Sequence, residues 1–371
     1  MQGEKMTERK LATIRVIDDV IDIQNADNIQ LAIIDGWSVV VKKNEFKAGD
    51  LCVYVEIDSL LPERSEFEFL RSKNFHIKTM KLNKFKVISQ GICFSLSILP
   101  YNEYKVSDDV TELLGITKYD KDDVLIEKKK QNWWFRFKIV RSLFLRKSRR
   151  NEFPDWISKT DEPRIENNIY FLNKKIPYIV TEKLDGCSVT YAMKKIKTWY
   201  GHKFEFIVCS RNRRVYENDK QYWVPVYKHD LKKRMKDYLK FYGKNKSTAI
   251  CIQGELVGPG IQKNKYKLDV LDFFAFNMFL FRWHNYWDFD KFTIEYNEQE
   301  IFCENIFGVK RVPLIANNFV LPDTIEELRK LVNRPSALND KVMTEGGVFR
   351  NYENKVSFKC INPEFLVKFG E

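Results

Sequence analysis

The stretch "YIVTEKLDGCSVTYAM", residues 178–193, sets two apolar runs on either side of a short charged turn. Tyr178, Ile179, Val180 and Thr181 read as one strand and Val189, Thr190 and Tyr191 as the next, because β-branched and aromatic side chains suit a pleated, half-buried surface. Between them stand Lys183, Asp185, Gly186 and Ser188. A lysine at the end of a buried strand, beside a glycine turn, is either a surface residue closing the strand or an amine held for use.

From Phe153 onward the same kind of run recurs: "FEFIVCS", "AICIQGELVG", "LDFFAFNMFLF", "GGVFR" and "VSFKC". A few helices interrupt them. "HDLKKRMKDYLKFYG" puts Leu231, Met235, Tyr238 and Tyr242 on one face and Gly243 at its stop, and "PDTIEELRKLVNRP" is expected to open on Asp323 as N-cap. This half is an α+β domain dominated by antiparallel strands. Residues 8 to about 118 carry shorter strand runs ("LATIRVI", "LAIIDGWSVVVKK", "DLCVYVEI", "HIKTMKLNKFKVISQGICFSL") with turn signals at Gly36, Gly49 and Pro62. A small antiparallel barrel follows; an OB-fold and an SH3-like barrel both fit. Between the halves, residues 128–150 hold ten Lys or Arg and no acid, and Trp133, Phe137, Val140 and Phe144 recur at helical spacing. That pattern predicts a basic amphipathic linker helix. The expected domains are therefore 1–120, a linker over 121–152, and 153–371.

Of the 371 residues 63 are Lys or Arg and 51 are Asp or Glu, a formal charge of +12, and aromatics make up 14%. Excess positive charge with many stacking faces favours a phosphate-rich partner. Seven cysteines, odd in number and never spaced Cys-x-x-Cys, point to reduced, packed thiols rather than a disulfide frame or zinc site. No run approaches the ~20 apolar residues of a membrane span, and Met1–Lys10 is too polar for a secretory signal. An intracellular, reducing compartment, cytoplasmic or nuclear, is expected, with no membrane and no obligate protein partner.

Lys-x-Asp-Gly alone is a weak signal. Its companions are "CSRN" (209–212), "IQGELVGPGIQKN" (252–264), "DFFAFNMF" (272–279), "TEGGVFR" (344–350) and "SFKCINPEFLVK" (357–368). In that order they resemble the covalent nucleotidyltransferase motifs of polynucleotide ligases and mRNA capping enzymes. The wording is most similar to the Deinococcus- and Naegleria-type RNA ligases, as are "KTDEPRIEN" (159–167) and "EFKAGDLCVYVEIDSLLP" (45–62). The resemblance implies an N-terminal OB-like β-barrel followed by an antiparallel-sheet nucleotidyltransferase (ATP-grasp-like ligase) domain. DNA ligases and capping enzymes place their OB domain after the catalytic one, and the end of this chain at Glu371 is expected to leave no room there.

A nucleophilic lysine must shed a proton it holds to about pH 10.4, and neighbouring cations and burial help it do so. The resemblance assigns Lys183 that role, attacking the α-phosphate of ATP to give lysyl-AMP. It implies nucleotide contacts for Arg164, Glu182, Asp185, Gly186, Arg211, Glu255, Phe276 (stacked on adenine) and Lys359 (on the α-phosphate). Glu255 and Glu345 are implied to serve a divalent metal, Mg²⁺ or Mn²⁺. Gly186 is expected at positive φ. Relatives often carry two lysines one residue apart where this chain has Ser357, Phe358 and Lys359. Each glutamate otherwise reads as a salt-bridged structural residue, and Phe276 as core.

The function implied is an ATP-dependent RNA ligase joining a 3′-OH RNA end to a 5′-phosphate, at nicks, with barrel and linker gripping the RNA. The alternatives are a capping guanylyltransferase or DNA ligase and, from another class, a non-catalytic RNA-binding protein.

Overall fold

A computed structural model describes residues 10–119, 152–159, 161–242, 246–285 and 288–369. The basic segment 128–150 and the helix stop at Gly243 lie outside the described residues.

The N-terminal strand runs all form strands: β1 Ala12–Val16, β2 Asp19–Asp22, β3 Ile29–Ile34, β4 Trp37–Lys42, β5 Leu51–Val55, β6 Ser59–Leu60, β7 Met80–Leu82, β8 Val87–Ser89, β9 Ile92–Phe94 and β10 Thr117–Lys118. They make two three-stranded antiparallel sheets, β1-β5-β9 and β2-β3-β4, with the pairs β6-β10 and β7-β8. Asp35 and Gly36, both at positive φ (46° and 80°), close the β3–β4 hairpin in the sense that matches strand twist. Ile34, Trp37 and Val39 from one sheet and Cys52 and Tyr54 from the other share one core. Val53 and Val55, on the opposite face of β5, belong to a second.

The second half holds β11 Pro177–Lys183, β12 Cys187–Thr198, β13 Gly201–Ser210, β14 Thr248–Val257, β15 Asp272–Trp283, β16 Phe289–Ile294, β17 Lys310–Arg311, β18 Leu314–Val320, β19 Pro335–Ser336, β20 Asn339–Met343, β21 Gly346–Asn351 and β22 Val356–Ile361. Two larger sheets result, β18-β11-β21-β22 and β13-β12-β14-β15-β16, the latter with β17 alongside β15, and β19 and β20 form a separate pair. Helices α1 Lys220–Lys228 and α2 Leu231–Phe241 cover one face of the larger sheet, Trp223 and Val226 of α1 and Met235 and Leu239 of α2 sharing a core with Tyr191, Ile252 and Phe273. Its other face, with Ala192, Cys251, Phe281 and Trp283, lies under Phe153, Trp156 and Ile157.

Helix α3, Ile325–Val332, corrects one expectation. Thr324, not Asp323, is its N-cap, accepting from the Glu327 N–H, while the Asp323 carboxylate takes Lys175 Nζ at 2.6 Å. All seven cysteines are free and six are buried, in line with packed thiols. No helix among the described residues is long and apolar enough to cross a membrane.

Helix α4, Pro363–Phe369, ties the halves together. Leu366 and Ile361 enter the barrel core beside Val53 and Val55, whereas Phe365 packs with Leu184 and Tyr266 near the lysine turn. Leu366→Ala is expected to cost about 2–5 kcal/mol in equilibrium urea unfolding. A loss within experimental error would show that α4 does not support the barrel.

Candidate active site

The two sheets of the second half meet at the turn Leu184–Gly186, and a cavity of about 170 Å³ opens between them. Strand alternation aims side chains into it from the smaller sheet: Thr181 and Lys183 on β11, Val348 and Arg350 on β21, Lys359 on β22. The facing wall is the larger sheet, where Ser188 and Glu255 are register partners on β12 and β14. Phe276 joins them for a local reason. Gln253 pairs with Asn277 and Gly254 with Ala275, so Phe276 is the extra residue of a β-bulge, which turns its ring to the cavity.

Lys183 Nζ donates to both oxygens of Glu345, each at 2.5 Å. Burial alone would push this amine's pKa down; the Glu345 carboxylate overrides it and raises the pKa above the ordinary value. Glu255 is pushed up to about 8, by burial first, with Lys183 opposing and the like charges of Glu345 and Asp185 adding. The resting site therefore holds a charged lysine and, at neutral pH, a largely protonated Glu255.

Gly186 is needed for a different reason from the one expected. It is absent from the positive-φ positions; instead, a Cβ there would lie 2.1 Å from the Leu256 carbonyl oxygen and 2.9 Å from Glu255 Cγ. The glycine lets the lysine turn lie flat on β14. Glu182 lines the cavity, but its carboxylate accepts from Ser336 Oγ at 2.5 Å and the Ala337 N–H at 3.0 Å, and burial raises its pKa against those donors. Asp185 is not among the residues that line the cavity: Lys265 pairs with its carboxylate, and its N–H donates to the Tyr266 hydroxyl at 2.9 Å. Arg164 also lies off the cavity. It is buried, with its guanidinium 5.4 Å from the centre of the Trp37 ring of the barrel and 3.8 Å from Asp58.

Residues that sequence reasoning passed over complete the site. Asp161 accepts from Lys359 at 3.1 Å, from Arg211 at 3.0 Å and, across the domain boundary, from Lys118 on β10 at 2.6 Å. Burial would raise its pKa; these three cations outweigh that and hold it well below the usual carboxylate range. Glu162 accepts from Arg350 and from Ser357, the residue standing at the expected second-lysine position. The only sequence signal for this pair of acids was their place in "KTDEPRIEN".

A family model for an OB-fold domain matches residues 11–96, and one for RNA ligase matches residues 176–363. The chain belongs to the RNA ligase family. The Naegleria gruberi RNA ligase solved with PPi is 31% identical, with a TM-score of 0.72 over 96% of this chain and 98% of that one. A glutamate-to-alanine variant with ATP and Mn is 30% identical, with a TM-score of 0.73 over 98% and 100%. A lysine-to-methionine variant with AMP and Mn is 29% identical, with a TM-score of 0.73 over 96% and 98%. No curated protein sequence matches the ligase significantly.

Glu255 gives a stability prediction. Its folded pKa lies above its ordinary 4.5, so between about 4.5 and 8 the folded state binds more protons than the unfolded one. The contribution is full at low pH and fades as pH rises through 8. In nucleotide-free ligase, Glu255→Gln should raise the melting temperature relative to wild type by more at pH 8 than at pH 5, read by calorimetry. A difference independent of pH would contradict the buried-carboxyl assignment.

Proposed function

We infer that this RNA ligase is ATP-dependent and joins a 3′-OH RNA end to a 5′-phosphate end, at nicks in duplex RNA. The observation that carries the reading is one cavity lined by Lys183, Glu255, Lys359 and Arg211, with the Lys183 amine held by Glu345. Lys183 attacks the α-phosphate of ATP, forming a P–N bond as pyrophosphate leaves; AMP then passes to the 5′-phosphate, and the 3′-OH displaces it. Lys359 and Arg211 stabilise charge on the phosphates, and Phe276 offers its ring to adenine. Asp185, pinned by Lys265 and Tyr266, positions the lysine turn, and Arg164 braces the barrel against the catalytic domain. The Naegleria gruberi RNA ligase structures with ATP and Mn, with AMP and Mn, and with PPi support the nucleotide and metal assignments.

Glu255 and Glu345 fit a divalent cation, Mg²⁺ or Mn²⁺. Both are hard oxygen donors at one buried space, and their mutual repulsion is part of what lifts Glu255. No group of three or more His, Cys, Asp or Glu among the described residues is arranged to hold a metal, so phosphate and water would supply the other ligands. Held by Glu255 and Glu345, such a cation would supply Lewis-acid polarisation of a phosphate and positive charge that favours a neutral amine. The chain's part is to hold Lys183 in place and to offer it, once Glu345 is drawn off, as a free nucleophile.

The proposed division is a barrel over 1–120, a basic linker over 121–152 and a catalytic domain over 153–371. The ten Lys or Arg and no acid of residues 128–150 support RNA as the partner of the linker, and the OB-fold family match supports it for the barrel. Seven free thiols support an intracellular site, cytoplasmic or nuclear.

Incubation with labelled ATP followed by denaturing electrophoresis should leave label on the protein, stable to denaturant and lost in acid. Lys183→Ala should abolish it, EDTA should suppress it, and Mg²⁺ or Mn²⁺ should restore it. Label retained on the mutant would exclude Lys183, and efficient labelling by GTP would move the reading to a capping enzyme.

A further inference from the structure

The hairpin joining β12 to β13 turns on two residues, Trp199 and Tyr200, since Thr198 and Gly201 are register partners. Loops of that length ordinarily take Asn, Asp or Gly. Here both places go to large aromatics, 95% and 76% exposed, and neither ring enters a core of the described residues. The rings lie 5.1 Å apart at 79°, edge to face. Apolar surface held in water inside a polar rim marks an interaction site.

The rim is cationic. From Lys194 to Phe204 the chain carries four lysines and one histidine and no acid. Lys197 is opposite His202 on one face of the hairpin and Ile196 opposite Lys203 on the other, so exposed Lys197 and exposed Lys203 flank the tip from its two faces. Neither lysine has a carboxylate partner among the described residues. The end of α2 joins the patch: Lys195 Nζ donates to the Tyr242 carbonyl at 3.5 Å, Lys236 lies 5.5 Å from the centre of the Phe204 ring, and Phe241 is exposed. The cavity is elsewhere. Ser188 and Arg211 line it at the opposite end of this pair of strands. At ~3.3 Å per residue, Thr198 stands about 33 Å along β12 from Ser188.

We propose that this hairpin is a second RNA contact, taking unpaired bases on Trp199 and Tyr200 and their phosphates on Lys197 and Lys203. The assignment rests on RNA as the partner and adds a contact remote from the cavity. Every base has a π-face, so a ring open to solvent takes any unstacked base, whereas the bases of a duplex keep their faces against their neighbours. Lysines beside the rings hold the phosphates without reading sequence. They also separate RNA from a protein partner: aromatics are enriched where proteins meet, but lysine is depleted there.

The test measures, by fluorescence anisotropy, binding of the full-length protein to a single-stranded oligouridine and to a blunt-ended nicked RNA duplex. Trp199→Ala combined with Tyr200→Ala should weaken oligouridine binding at least fivefold. Duplex binding and lysyl-AMP formation should stay at the wild-type level. Trp199→Phe combined with Tyr200→Phe, which keeps two rings, should restore oligouridine binding. Lys197→Ala and Lys203→Ala should each reduce the log–log salt slope for oligouridine by about 0.7. Unchanged oligouridine binding in the double alanine variant overturns the proposal, as does an equal loss on oligouridine and duplex. With oligouridine binding unchanged, loss of a wild-type dimer in that variant would assign the rings to self-association, and loss of binding to anionic lipid vesicles would assign them to a membrane surface. Failure of the wild type to bind either RNA would instead overturn RNA as the partner, and this proposal with it.

Discussion

The ion pair between Lys183 and Glu345 joins residues 162 positions apart in the chain and ties the proposed nucleophile to the strand turn before β21. Such a pair forms only if β21 lies against both β11 and β22 at very close range. The two glycines after Glu345 make that approach possible: a Cβ at Gly346 would stand 2.3 Å from the Cys360 carbonyl oxygen, and one at Gly347 would meet Val332 at 2.8 Å. Removing Lys183 from water would by itself discharge it, and Glu345 prevents this. The surrounding charges then come close to balance. Lys265 answers Asp185, Glu345 answers Lys183, and Glu255 escapes the need for a partner by keeping its proton. A site balanced in this way leaves no buried charge of the three unanswered. The nucleophile is masked by the same residue that belongs to the proposed metal site.

Legibility in the sequence followed burial pattern. Runs such as "CSVTYAM" and "AICIQGELVG" were readable because one or both faces are packed, and they became β12 and β14 with Lys183, Glu255 and Lys359 on strands that face one cavity. Strands with little buried surface gave no such signal: no residue of β2 or β18 is fully buried, and both are defined by hydrogen bonds to their neighbours. Asp323 and Thr324 are both good caps in the abstract, and the choice went to Thr324 because Lys175, remote in sequence, claims Asp323. The Phe276 bulge depends on the register of two long strands, which no local pattern encodes. Asp161 and Glu162 were unreadable for a related reason. Two acids before a proline look like a solvated turn until the cations they meet, drawn from four separate strands and turns, are known.

Those cations also decide how the two halves can move. The barrel touches the catalytic domain through contacts of unequal strength. Lys118 and Asp161 are partly exposed, with 39% and 26% of their side-chain surfaces open, and such a pair is worth about 0–1 kcal/mol. Leu366 is sunk in the barrel core, and pulling it out would cost about 1.5–3 kcal/mol of buried apolar surface. A reorientation of the barrel that releases Lys118 while leaving α4 seated is therefore the inexpensive one. It would free Asp161 from one of three cations and pivot about a helix whose Phe365 already rests on Leu184 and Tyr266, beside the lysine turn. Movement of the barrel is in this way mechanically joined to two places at the cavity, the Asp161 carboxylate and the loop that carries Lys183.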